Sequence, residues 1–525
     1  MTEHDIPSRS GTPVEPVLRL SNSQIRAIHA GSMTLLDNPG LLCTNDKAAG
    51  RLNDAGCRLT RNEGAKSPWR IRFPRRLVEE HVAAAPSVLT LGARKPENRL
   101  VLNAAVPEVF FGTGSETNIY QTSRIADFVD KNNPAVMIKH PVFDNHRGSI
   151  ARLCQSSKLC NALEQVDFFI RNVNIQDDEI TPENKDVNTA LAALMYMTKH
   201  VQMGLTRVES LDTLIRMAEI IAGGAEAYRS NPVLSFIACV IKSPLQIVDD
   251  TADKLIAVAE RGIPLVISSS PQGGSTAPIQ EEGITTLINA EILAGITLTQ
   301  TVNPGTPVLY GAVPVRARLD TLHDYYGAPE FIHYNMNCIQ MARFYQIPCY
   351  STAGAGDAKI PGYQAAVEKL FPQLGVASAG AQYIHYAFGL LDKTNIFSPL
   401  QAVLDDAHVA LVRQIIRPPV FHDSEVESAI NEINKVLASS SRLFARHIRK
   451  AARKGLVTPP YPFETREGRD EVLVKAQNTL EHILQGPEDR LPDDVLNTIT
   501  ADIPGLLPFD RFTPDTPTTT KGEIR

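Results

Sequence analysis

Apolar residues recur along the chain in two rhythms, and the switch between them divides it. From Ser21 the stretch SNSQIRAIHAGSMTLL has helical spacing. Ile25, Ile28, Leu35 and Leu36 fall on one face, and Ser21 with Gln24 matches a capping box. Two shorter helical patterns follow, NDKAAGRLNDAG and PRRLVEEHVAAAP, and then two extended pieces, SVLTLGAR and RLVLN. These predict an N-terminal helical cap with a small β element over residues 21–105, after a flexible lead over 1–20.

From about 106 to 420 short apolar runs alternate with helical stretches. The runs lie at 109–114, 166–174, 199–206, 233–240, 264–270, 308–313, 348–354 and 383–389. Helical patterns lie between them at 181–197, 208–228, 250–261, 281–301, 329–345 and 361–374, with a last one at 398–416. The first interval, 115–165, is longer and has room for an extra element around MIKHPVF. Eight such units predict an α/β fold, a (β/α)8 TIM barrel spanning 106–420. An open doubly wound sheet is the alternative, but FGTGSETN is no G-x-G-x-x-G and the GGS at 273–275 lacks the rest of a P-loop. C-terminal helices are expected over 421–504, and the Pro/Thr-rich tail 505–525 is expected to be disordered.

Composition narrows the function classes. The 525 residues carry a net charge of −6, with 43% apolar and 21% charged positions. Nothing in that balance points to nucleic acid. No apolar run is long enough to span a bilayer, and the polar N-terminus lacks a signal-peptide core, so a cytoplasmic protein is expected. Seven cysteines, an odd number without C-x-x-C spacing, read as reduced and mostly buried thiols.

In such a barrel the site is built at the C-terminal ends of the strands. Those ends hold glycine, hydroxyl, amide and aromatic groups, without paired carboxylates, H-E-x-x-H or G-x-S-x-G. His200, His333 and His385 do not space as a metal triad, so no metal site is expected. Tyr310, Tyr334, Tyr386 and Phe388 are candidates for an aromatic cage around a quaternary ammonium; Tyr325, Tyr326, Phe331 and Tyr350 are further rim aromatics. Arg316 is the leading candidate to hold a substrate carboxylate, with Arg171, Arg318 and Lys359 as others. Asp357 would either balance the ammonium charge or cap the helix near 361. Glycines in SSSPQGGSTAP and AGAGDAK allow a large flat group to approach the backbone.

Several ordered motifs carry a family resemblance: SSSPQGGSTAPIQEEG, VLYGAVPV, STAGAGDAKIPGYQAAVEK, AGAQYIHYAFGLLD and, earlier, IHAGSMTLLDNPGL. Over roughly residues 21–420 the chain resembles the trimethylamine methyltransferase (MttB-like) family. That resemblance implies corrinoid-dependent methyl transfer from a methylated amine to the cobalt of a separate small corrinoid-binding protein. The founding enzymes contain pyrrolysine, whereas this chain has only standard residues. It therefore resembles the non-pyrrolysine branch, which includes glycine betaine methyltransferases. On that reading Ser270, Gln272, Gly273, Gly274, Ser275, Gly354 and Gly356 would meet the corrinoid, and no cofactor is bound tightly by the chain itself. A barrel that binds a betaine or a corrinoid protein without turnover is the alternative, and self-association into a homo-oligomer is left open.

Overall fold

The computed structural model describes residues 7–61, 68–130, 133–440, 443–453, 457–465 and 471–515. Its centre is a curled nine-stranded sheet in a mixed α/β architecture. Among the described residues eight of these strands run parallel. They are β1 (Glu108–Phe111), β2 (Phe168–Ile170), β3 (His200–Met203), β4 (Leu234–Ala238), β5 (Leu265–Ser269), β6 (Val308–Ala312), β7 (Cys349–Thr352) and β8 (Tyr383–His385). The order is β1-β8-β7-β6-β5-β4-β3-β2. An isolated bridge between Gly112, just past β1, and Phe168 of β2 joins the two ends of that order.

A helix follows each parallel strand: α1 (Ile150–Ala162), α2 (Lys185–Tyr196), α3 (Leu211–Ala222), α4 (Asp249–Glu260), α5 (Glu281–Val302), α6 (Pro329–Phe344), α7 (Tyr363–Ser378) and α8 (Pro399–Ile416). Seven follow the helical spacing of the sequence. The expected helix 208–228 is interrupted at Gly223 and Gly224, whose φ values of 90° and 134° favour glycine. The long interval 115–165 holds a hairpin, Ile119–Asp130 against Asn133–Arg147, and then α1.

Side chains along the strands alternate between two faces, as the pleat requires. Phe110, Phe168, Ile170, Val266, Leu309, Tyr350 and Tyr383 form one cluster on the inner face. Their neighbours Val109, Phe111, Phe169, Ile267, Tyr310 and Ile384 belong to the larger cluster shared with the helices. The inner cluster also contains Leu89, Leu91, Leu100 and Leu102. These come from an antiparallel hairpin, Val88–Leu91 with Leu100–Asn103. Gly92 N donates to Pro232 O at 3.0 Å, which places this hairpin under the N-terminal ends of the strands. The opposite, C-terminal ends stay free for the site.

The capping box on the first helix, Asn22–Asp37, is formed: Gln24 N donates to Ser21 Oγ, and Ser21 N to Gln24 Oε1 at 2.8 Å. Residues 7–20, read from sequence as a flexible lead, run along the sheet. Thr12–Pro13 pairs antiparallel with Glu108 and Val109. Likewise Phe512, within the expected disordered tail, is buried and its carbonyl accepts from Tyr196 OH at 2.9 Å. The rest of that tail, 516–525, and residues 1–6 lie outside the described residues. No helix among the described residues is long and apolar enough to cross a membrane.

The seam between β1 and β2 depends on Asp167. Its buried carboxylate accepts from Phe111 N at 2.7 Å, from Arg413 Nη2 at 2.5 Å and from Arg9 Nε at 2.5 Å. Two guanidinium groups thus compensate the desolvation of one carboxylate. Asp167→Ala should strand the buried Arg413 charge and cost about 3–5 kcal/mol; a lowered urea midpoint checks this.

Candidate functional site

The parallel register sends the C-terminal ends of β4 to β8 to one side of the molecule. Beyond β5 and β6 the chain keeps pairing: Gln272–Gly273 lies beside Val315–Arg316, and Arg316–Ala317 turns back against Asp324–Tyr325. SSSPQGGSTAP therefore builds a small three-stranded rim. Its turn is held by backbone donors Ser275 N and Thr276 N, both at 3.0 Å from Gln272 O. Gln272 Nε2 donates to Asp324 Oδ1 at 2.7 Å, and Ser270 Oγ to Val313 O at 3.1 Å. The second loop, after β7, sits at the same end. Gly354, at φ 102°, offers its carbonyl to the buried Lys369, whose Nζ also lies 3.2 Å from Asp405.

Inside this rim, aromatic rings form a continuous run. Phe168 stacks on Tyr383, and Tyr383 lies 5.6 Å from Tyr350. Tyr350 stacks on His385 at 4.1 Å, and His385 meets Tyr386 at 3.9 Å. Tyr386 then meets Tyr326 edge-on at 6.4 Å, and Tyr326 meets Phe331 at 5.3 Å. All these rings are buried except Tyr386, which is half-buried and has a positive φ of 70°. The cause is local. Gly114 lies against the Tyr386 ring, where a Cβ would come 2.5 Å from Cδ1.

The electrostatics of this run are those of a neutral wall. Burial holds His385 well below the ordinary imidazole range, so it is uncharged at neutral pH. Its Nε2 hydrogen-bonds Thr352 Oγ1 at 2.6 Å, while Nδ1 has no hydrogen-bond partner. Burial likewise raises the Tyr350, Tyr383 and Tyr386 phenols. Cys239, at the end of β4, reaches solvent, yet the walls around it push its thiol up as well. Ser268 Oγ, Gln202 Oε1 and Tyr383 OH are buried without hydrogen-bond partners.

Charge enters at one edge. Glu116 pairs with Arg171 Nη1 and lies 3.0 Å from Lys185 Nζ. Burial opposes its ionisation, but the two cations win and lower its pKa. The trio keeps one net positive charge, and its Glu116 follows by two residues the Gly114 that packs against the Tyr386 ring. Arg171 is buried at the end of β2, and its Nε has no hydrogen-bond partner.

The sequence-derived candidates separate into those at this site and those elsewhere. Tyr386 lies in the ring run, and the rim aromatics Tyr326, Phe331 and Tyr350 join it. Tyr310 does not: it points to the outer face, where its hydroxyl donates to Asn289 Oδ1 at 2.9 Å. Phe388 is buried in the same outer cluster, shared with the helices. Tyr334 packs with Ala277, Ile284 and Leu287, and its hydroxyl donates to Ile279 O. Arg316 is engaged at the rim, 5.6 Å from the Tyr325 ring and 3.9 Å from Glu330 Oε1. Asp357 accepts from Gly327 N at 2.8 Å and its Oδ1 has no partner. It makes no side-chain cap on the helix beginning at Tyr363.

Among the glycines and hydroxyls, Ser270, Gly274 and Ser275 are exposed and Gln272 is half-buried. Gly273 is instead packed inward, since a Cβ there would meet Tyr334 OH at 3.0 Å. Gly354 is covered by Ala387 and Gln373, and Gly356 by Glu368 and Lys369. These three serve close internal packing, not an exposed contact. Glu116 and Lys185 were not singled out by sequence, and His385 was weighed there only as a metal ligand. His385 had a signal: it shares strand parity with Tyr383, two positions earlier. Glu116 and Lys185 had none, being 69 positions apart.

A family model described as trimethylamine methyltransferase (MTTB) matches residues 8–454. The chain belongs to this family. Among similar proteins, the trimethylamine methyltransferase MttB of Desulfitobacterium hafniense (strain DSM 10664 / DCB-2) is 28% identical over 75% of this chain and 74% of its own. The protein of the same name from Methanosarcina thermophila is 27% identical over 82% and 84%. The glycine betaine methyltransferase of D. hafniense (strain Y51) is 25% identical over 84% and 85%. In this member of the trimethylamine methyltransferase family, no group of three or more His, Cys, Asp or Glu side chains among the described residues could hold a metal ion.

Asp357 gives a pH signature. Burial, reinforced by Glu368, lifts its carboxyl from 3.8 to about 6. The folded chain then holds this proton more tightly than the unfolded one. Its stability contribution is full below about pH 4 and is lost as pH rises through about 6. Asp357→Asn should shrink the fall in urea midpoint over that window. Part of the fall will remain, since burial also raises Asp406 to about 6.

Proposed function

We propose that the chain moves a methyl group from a methylated amine, a quaternary one of the glycine betaine kind, to the Co(I) of a corrinoid carried by a separate small protein. Family membership and the names of the relatives support the methyl transfer. The observation that carries the substrate class is the run of rings whose one half-buried member is Tyr386, taken with the net positive Glu116–Arg171–Lys185 trio, which begins two residues after Gly114. An aromatic wall suits a quaternary ammonium, and the trio suits a carboxylate. The absence of pyrrolysine agrees with the betaine branch.

On this reading the curled sheet is a (β/α)8 TIM barrel over 106–420, supported by the Gly112–Phe168 bridge, with 21–105 as its cap. A cytoplasmic setting agrees with the free cysteines. The rim residues Ser270, Gly274 and Ser275 fit a flat macrocycle, because a Cβ at Gly274 would have nothing nearer than 3.8 Å. When bound, the corrinoid supplies the nucleophile that takes the methyl group as the C–N bond breaks and its electron pair stays on nitrogen. Tyr386, backed by Tyr326 and Tyr350, would hold the ammonium in a place that excludes water. Arg171 and Lys185 would take the carboxylate, a role the sequence had assigned first to Arg316. A quaternary nitrogen leaves as a neutral amine, so the chain need supply no acid. Its contribution is orientation of the methyl toward the open rim.

The purified chain with glycine betaine and reduced cobalamin should form dimethylglycine, detected by proton NMR. Binding of glycine betaine without dimethylglycine would make the chain a capture module instead. Tyr386→Ala should weaken quaternary amine binding roughly 2- to 30-fold, as loss of one cation–π contact implies, while Tyr310→Phe leaves it unchanged by calorimetry.

The double variant Glu116→Gln/Arg171→Met should weaken glycine betaine binding by roughly 10- to 100-fold, the worth of a charge-assisted hydrogen bond. Binding of tetramethylammonium, which has no carboxylate, should stay the same in the same calorimetric series.

A further inference from the structure

The helices between residues 420 and 453 carry an apolar face that no described residue of the chain covers. The helix Asp423–Leu437 is 15 residues long and Val436 is its one buried residue. Val426, Ile430, Ile433 and Leu437 are all exposed. Their 4-3-4 spacing is a heptad seam, which forms when a helix packs on another helix. The next helix, Ala445–Arg453, begins just after exposed Leu443 and Phe444 and carries exposed Ile448. Val420 and Phe421, which lead in, are 90% and 64% exposed. His447 Nδ1 pairs with Glu432, which ties the two helices together. An isolated helix of this length is marginal in water, so its seam calls for a partner.

Charge identifies the partner. The first helix carries Asp423, Glu425, Glu427 and Glu432 against a single Lys435. The second carries Arg446, Arg449, Lys450 and Arg453 and no acid. One helix is therefore acidic and the other basic, with an apolar seam shared between them. Two such hairpins related by a twofold axis set each acidic helix on the other copy's basic helix. Nine exposed apolar side chains between Val420 and Ile448 are available to an interface that, at standard size, buries about 800 Å² per partner.

We infer that residues 420–453 form an isologous interface with a second copy of this chain, a four-helix contact with an apolar centre and complementary charged flanks. The inference stands apart from the proposed reaction, because these helices hold none of the ring run or the Glu116 trio.

Sedimentation equilibrium on the full chain is the test. Wild type should have twice the mass of the 57.5 kDa chain. Ile430→Glu/Ile433→Glu should be monomeric, with helix content unchanged by circular dichroism. A charge exchange separates this contact from any other. Glu425→Lys/Glu427→Lys and Arg449→Glu/Lys450→Glu should each dimerise poorly alone and recover dimer mass when mixed one to one. A monomeric wild type overturns the inference. So does a dimer that survives Ile430→Glu/Ile433→Glu, or a charge pair that fails to rescue on mixing.

Discussion

Everything at the site depends on the parallel strands sharing one direction and one pleat phase across the seam at Asp167. A carboxylate with no access to water is costly, and this one is satisfied by a backbone amide of β1 and by Arg413 and Arg9. The arrangement sets the register between the first two strands. That register puts Gly112 against the face of the Phe168 ring, where a Cβ would come within 2.2 Å. Phe168 is the foot of the ring run, stacked on Tyr383 across the inner face. A shift of one residue would turn every inward ring outward into the helix layer, because side-chain direction alternates with period two.

The rings of the run are themselves short of groups that gain or lose protons near neutrality, while Asp357, lifted to about 6, lies near Tyr326. His385 is held neutral by burial, the tyrosines and Cys239 are pushed away from ionisation, and the charges are gathered at one edge in the Glu116 trio. Such a wall favours a ligand that brings its own charge. The proposed methyl donor does so at nitrogen, which is why acid catalysis is dispensable in that reading. The uncommitted buried polar atoms, Ser268 Oγ, Gln202 Oε1 and Tyr383 OH, point to where further ligand contacts are available.

The two ends of the molecule are treated differently. The 88–103 hairpin fills the N-terminal side of the strands with leucines, while the C-terminal side is edged by a small sheet and glycine turns. The two helices over 423–453 follow a third logic, with an apolar seam facing outward, and their stability is bound up with what covers them.

Much was legible in the sequence alone. Apolar runs located all eight parallel strands, and helical spacing located most helices between them, because both periodicities are local properties of the backbone. The Ser21 capping box was equally readable, its two partners being three positions apart. What the sequence did not decide was which aromatic faces inward. Tyr310 and Tyr350 look alike in sequence, yet strand parity sends one to the helices and the other to His385. Tyr334 and Phe388, near the rim in sequence, are drawn into packing clusters. Gly273, Gly354 and Gly356 are glycines for internal close approach, a need that exists only once Tyr334, Ala387 and Glu368 have arrived from elsewhere. Glu116, Arg171 and Lys185 meet only after β1, β2 and α2 are packed. Local order along the chain is written in neighbouring residues, whereas the composition of a site made by distant strand ends is fixed by register and pleat phase, which only the folded sheet sets.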